Sequence, residues 1–84
     1  MSSTIPPQLY WACRRGMLEL DVLLGKFLEG AYLKLSPEEQ EIFVSYLRSQ
    51  DQTLFLWLTG RETPEDPAFK RMTEKIIQYA RQSF

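Results

Sequence analysis

Leu20-Asp21-Val22-Leu23-Leu24-Gly25-Lys26-Phe27-Leu28-Glu29-Gly30-Ala31 decides the fold. Its apolar residues Leu20, Leu23, Leu24, Phe27, Leu28 and Ala31 recur at i, i+3, i+4, i+7, i+8 and i+11, the stripe of a helix facing a core. Gly25 and Gly30 interrupt it, each at a cost of roughly 0.8–1 kcal/mol in helix propensity. Close packing or fraying is expected at both.

Upstream, Pro6 and Pro7 suit a helix start, where the missing N–H would be unpaired in any case. That first helix is expected to run through Leu9, Tyr10, Trp11 and Cys13, with Gly16 as the C′ residue that ends it. Downstream, Ser36-Pro37-Glu38-Glu39 combines an N-cap, a proline at N1 and an N3 glutamate, the elements of a capping box. The helix it opens carries Ile42, Phe43, Tyr46 and Leu47 on one face. Asp51 is expected to cap a short helix with Leu54, Phe55, Trp57 and Leu58, closed by Gly60. Arg61–Asp66 forms the one loop. Asp66-Pro67 then restarts a last helix on Phe69, Met72, Ile76 and Tyr79 or Ala80. No window alternates in the manner of a strand. The reading is an all-α fold, a single-domain antiparallel bundle of five helices over residues 1–84, with 1–5 and 82–84 frayed.

The composition narrows function. A chain of 84 residues has room for one small domain, burying roughly 60–65% of its unfolded surface. With 44% apolar residues it can build that core without a metal or disulfides. The lone Cys13 excludes an internal disulfide and points to a reducing compartment. There is no histidine, which removes Ser-His-Asp and Cys-His catalysis and histidine metal sites. Ten basic and eleven acidic residues leave a net charge of −1, so nothing argues for nucleic acid. The last helix has a local basic excess in Lys70, Arg71, Lys75 and Arg81 against Glu74, which reads as a solvated face. The N-terminus lacks the basic and apolar regions of a signal peptide, and no apolar run approaches the ~20 residues of a membrane span. A cytoplasmic protein without membrane insertion is expected, one that binds rather than catalyses.

Residues Arg14-Arg15-Gly16-Met17-Leu18-Glu19-Leu20-Asp21 gather four charges around a glycine at an expected helix junction. A glycine at a corner can turn at φ > 0 and leaves no side chain over the peptide plane, so another backbone could approach. Arg14 and Arg15 could pair with a carboxylate or phosphate. The bland alternative is an inter-helix corner with a weak surface ion pair. Tyr10, Trp11 and Trp57 could form an aromatic platform, but aromatics at helical spacing are more often core. Cys13 could be a thiolate beside Arg14, though a small buried residue is the commoner role. Glu38, Glu39 and Glu41 need no role beyond the positive end of their helix.

The run Tyr-Trp-Ala-Cys-Arg-Arg-Gly-Met-Leu-Glu-Leu-Asp, residues 10–21, resembles the bacterial succinate dehydrogenase assembly factors that promote flavinylation. The likeness extends through Phe27, Tyr32–Ser36, Phe43, Leu47, Asp51 and Leu54–Leu58. It implies a five-helix cytoplasmic protein that binds the flavoprotein subunit of succinate dehydrogenase, or of fumarate reductase, and assists covalent attachment of FAD to a histidine there. The family's Arg-Gly-x-x-Glu motif falls on Arg15, Gly16 and Glu19, with Arg14 and Asp21 beside it on the same partner-binding surface. Catalytic residues, a metal and tightly bound FAD are not expected on this chain. The acceptor is a histidine, which this chain lacks, and no Gly-rich dinucleotide turn is present; the FAD is carried by the partner. The expected free state is a monomer. Relatives described as antitoxins of small membrane toxins supply an alternative, a regulatory binding protein. Gln50, Gln52 and Thr53 stand where the family is often acidic, so no partner-binding role is assigned to that corner.

Overall fold

The computed structural model describes residues 5–83, with side chains from 5 to 82. Five α-helices follow in order: α1 Pro7–Ala12, α2 Leu18–Ala31, α3 Pro37–Tyr46, α4 Asp51–Leu58 and α5 Pro67–Ser83, with a 3-10 turn at Tyr32–Lys34 after α2. No strand occurs among the described residues. The all-α, five-helix reading therefore holds. Of the terminal residues expected to fray, Ile5 is buried in the core and Gln82 lies within α5. Residues 1–4 and 84 lie outside the described residues.

α2 sits at the centre, packed against α1, α4 and α5, while α5 also covers α3 and α4. Leu20, Leu24, Phe27 and Leu28 are buried; Leu23 and Ala31 only line the edge of the core, so the buried stripe is narrower than the periodicity suggests. Facing them are Phe43 and Tyr46 of α3, Leu54 and Leu58 of α4, and Met72 and Ile76 of α5. Rings set the packing angles. Phe27 lies 5.4 Å from Phe43 and edge-on to Tyr79 at 5.8 Å, and Tyr46 packs on Trp57 and Phe69 at 5.5 and 5.4 Å. The Tyr46 hydroxyl, buried among these rings, shares a 2.7 Å hydrogen bond with Thr73 Oγ1. Among the described residues no buried side-chain polar atom lacks a partner.

Local chemistry sets the helix ends. Ser36 Oγ accepts from the Glu39 N–H and Glu39 Oε1 accepts from the Ser36 N–H, both at 3.1 Å. The backbone bond from Ser36 holds the Glu39 carboxyl below its usual range. Lys75 Nζ reaches Glu39 at 3.4 Å and links α5 to α3. Asp66 accepts from the Ala68 N–H at 2.8 Å and opens α5. Gly60 adopts φ +80° and closes α4, after which the Arg61 N–H donates to the Leu56 carbonyl at 2.9 Å.

Two boundaries differ from expectation. Gly16 does not end α1, and its φ is not positive. α1 is only six residues long and stops at Ala12, where the Cys13 and Arg14 N–H groups close the last turn on Leu9 and Trp11. Asp51 is the first residue of α4 rather than its cap; Gln50 is the N-cap, without a side-chain bond. The Asp51 carboxylate is drawn away from its own helix by α1–α2 groups described below.

The two glycines of α2 have different roles. A Cβ on Gly30 would overlap the Tyr79 hydroxyl and lie 2.7 Å from its Cζ, whereas a Cβ on Gly25 meets nothing within 4 Å. Gly25→Ala should therefore stabilise the fold by roughly 0.8–1 kcal/mol. Gly30→Ala should destabilise it by about 1–3 kcal/mol through overpacking, and become neutral or stabilising in a Tyr79→Ala background. Urea unfolding of the single and double variants checks both signs.

Candidate functional site

In the corner between α1 and α2, residues 13–17, the Cys13 and Arg14 N–H groups still close α1, but those of Arg15 and Gly16 are held by side chains. Arg15 in turn ties the corner to its neighbours. Its side chain, 14% exposed, turns the guanidinium inward. Nε donates to the Ala12 carbonyl at 2.9 Å, Nη1 to the Ser49 carbonyl and to Asp51 Oδ1 at 3.1 Å each, and Nη2 to the Leu47 carbonyl. The carbonyls at helix C-termini lack intrahelical donors and carry the negative end of the helix dipole. Ala12 ends α1, and Leu47 is the C-cap of α3. Arg15 thus supplies both helix ends with donors at once, and pairs with a carboxylate from the start of α4.

Two carboxylates fix the backbone of the corner. Asp21 Oδ1, from the first turn of α2, accepts the Arg15 N–H. Asp51 Oδ2 accepts the Gly16 N–H at 3.3 Å. Asp21 is half-buried. The expected cluster therefore divides. Arg15 and Asp21 act inward, while Arg14, Gly16 and Glu19 are exposed. Glu19 lies in the first turn of α2, where its charge suits the helix dipole. No ion pair joins it to Arg15, whose charge goes to Asp51 instead. Space beside Gly16 is open: a Cβ there would meet only Asp51 Oδ2 at 4.0 Å.

Beside the exposed polar residues lies apolar surface. Trp11 is 71% exposed and Leu18 77%, with Tyr10 and Val22 exposed to a lesser degree. The Arg14 guanidinium stands 5.7 Å from the Trp11 ring centroid, a cation–π contact. Trp11 and Tyr10 are thus not core residues, contrary to the expectation from aromatic spacing. In a six-residue helix, Leu9 and the Cys13 that follows form the inward face, which leaves residues 10, 11 and 14 outside. That helical wheel is the signal that could have placed Trp11. Trp57 packs against the core as expected. The sequence suggests Asp51 as a helix cap, and nothing local marks it as the partner of a residue 36 positions away.

Cys13 is 3% exposed. Burial pushes its thiol from 9.0 to about 12; the Arg15 charge opposes this and Asp21 adds to it. It is no thiolate at neutral pH. No group of three or more His, Cys, Asp or Glu able to hold a metal occurs among the described residues. No described helix is long and apolar enough to cross a membrane.

Comparison with known proteins identifies the family. Residues 7–80 match the family model described as the flavinator of succinate dehydrogenase. The chain belongs to that family. It is similar to the FAD assembly factor SdhE of Photobacterium profundum, 46% identical over 79 residues that cover 94% of this chain and 90% of that protein. It is likewise 46% identical over 71 residues to the FAD assembly factor SdhE of Coxiella burnetii, covering 84% and 87%. The match to the family spans the corner and every helix that holds it.

Removing the Arg15 side chain takes its donors from three main-chain carbonyls and one carboxylate. Arg15→Ala should cost about 1.5–3 kcal/mol of stability by chemical denaturation, whereas Glu19→Ala should change it by less than about 0.5 kcal/mol. Burial also raises the Tyr46 hydroxyl from 10.0 to about 12. Cys13 and Tyr46 both hold their protons more tightly when folded, so their contribution is complete below pH 9 and is lost as pH rises toward 12. The urea midpoint should fall above pH 9, and Cys13→Ala should delay that fall to above pH 10, where the Tyr46 hydroxyl of the unfolded chain begins to titrate.

Proposed function

We propose that this chain binds the flavoprotein subunit of succinate dehydrogenase, or of the related fumarate reductase, and promotes covalent attachment of FAD to it. Membership of the flavinator family across residues 7–80 is the observation that carries this reading. The face it docks with is the exposed part of the α1–α2 corner: Trp11, Arg14, Gly16, Leu18 and Glu19. Tryptophan and arginine are among the residue types most enriched where protein partners bind tightly, and here Arg14 stands over an exposed Trp11. Gly16 leaves room for the partner backbone between these side chains.

The chain contributes binding and positioning, and the chemistry belongs to its partner. Attachment needs a nucleophilic histidine, and this sequence has none. The backbone N–H groups of the corner are poor candidates for a diphosphate cradle, because those of Arg15 and Gly16 already serve carboxylates. The FAD is therefore held by the flavoprotein. Docking at the corner holds that subunit in the arrangement where its own groups react, an effect of orientation and electrostatics rather than of a catalytic side chain here. The factor is not an enzyme in this reading, and it acts in the cytoplasm as a monomer.

A strain lacking this protein should lose most covalent flavin fluorescence from the denatured flavoprotein subunit. The unaltered chain should restore it, and Glu19→Ala should restore it less well. Gly16→Leu should keep the helical circular dichroism, since the site is open, yet fail to restore fluorescence. Full flavinylation with Gly16→Leu contradicts docking through this corner.

A further inference from the structure

We propose that Asp51 is a positioning residue for the docking corner: it touches no partner, yet it sets the conformation that the partner binds. The proposal rests on the functional reading above and adds to it a residue from a different helix. One carboxylate holds two consecutive residues of the corner. Oδ1 takes the Arg15 guanidinium at 3.1 Å and Oδ2 takes the Gly16 N–H at 3.3 Å. The Arg15 N–H is already bound to Asp21, so the corner backbone is defined by one carboxylate from α2 and one from α4.

The two carboxylates differ in what depends on them. Asp21 belongs to the helix that immediately follows the corner, and its bond spans six residues. Asp51 reaches across 35 positions and is the only tie on the Gly16 amide given by the described residues. Gly16 lies between the exposed Arg14 and the exposed Leu18 and Glu19. Its peptide plane decides how those side chains are placed relative to one another.

Loss of the Asp51 carboxylate leaves the guanidinium with the carbonyls of Ala12, Leu47 and Ser49. The helices stay joined while the exposed Gly16 peptide becomes free to rotate. A corner that is competent for only a fraction of the time binds more weakly by that fraction, without any change in the chemistry after binding. The departures at Gln50, Gln52 and Thr53 leave this role intact, since none of them supplies the two bonds.

The test titrates the full chain, Asp51→Ala and Asp51→Asn into apo flavoprotein subunit with FAD, and follows covalent flavin against factor concentration. Amide exchange at Gly16 is measured on the same three proteins. Asp51→Ala should raise the half-saturating concentration about tenfold and speed Gly16 exchange about tenfold, the loss of one charge-assisted bond, with the plateau rate retained. Asp51→Asn should fall between, because its one carbonyl oxygen can replace only one of the two bonds. It also serves as the deciding variant should Asp51→Ala lose its helical signal. A half-saturating concentration unchanged in Asp51→Asn and Asp51→Ala overturns the proposal, whatever the plateau does, and so does an unchanged Gly16 exchange rate. Absence of flavinylation with the unaltered chain overturns the functional reading itself, and this proposal with it.

Discussion

A guanidinium withdrawn from solvent must place its donors, and Arg15 places them on the ends of α1 and α3 and the start of α4. Its acceptors are the carbonyls of Ala12 and Leu47 at two helix ends, the Ser49 carbonyl of the α3–α4 linker and the carboxylate of Asp51, the first residue of α4. The arrangement solves three local problems with one residue. It also means that the charge most expected to face a partner is spent inside the molecule. What remains outward is Arg14 on Trp11, the bare peptide of Gly16, and Glu19 at the positive end of α2.

This division suits a small domain. With 84 residues, a hydrophobic core has little margin, and a flexible recognition loop would draw on it further. Here the loop is five residues long, from Cys13 to Met17, and the same bonds that join the helices also order it. Rigidity favours the proposed role of positioning a partner, because every degree of freedom left in the proposed docking face would be lost again on binding. The core beneath is built from rings at fixed angles around Phe27 and Tyr46, and it anchors α2 behind the corner.

Features with short-range causes were legible in the sequence. The Ser36–Glu39 capping box, the Asp66-Pro67 start of α5 and the Gly60 stop each depend on residues a few positions apart. All three stand as read. The stripe of α2 is legible too, apart from Leu23 and Ala31, which the neighbouring helices do not fully cover. Gly25 and Gly30 look alike in sequence and differ only because Tyr79, from the far end of the chain, lies against one of them. The Arg15 clamp was not legible, because three of its acceptors are main-chain carbonyls that every residue possesses. Trp11 was misplaced because a bare preference for burying aromatics ignored how few residues α1 has to form an inward face.

The central claim is that the partner meets the exposed α1–α2 corner while Arg15 holds it from behind. Its most direct test is an amide footprint of this chain, comparing hydrogen exchange with and without saturating apo flavoprotein subunit. New protection is expected at residues 10–19, with the outer faces of α3 and α5 exchanging as in the free protein. Protection that falls on α3 or α5 and leaves residues 10–19 unchanged would contradict the account.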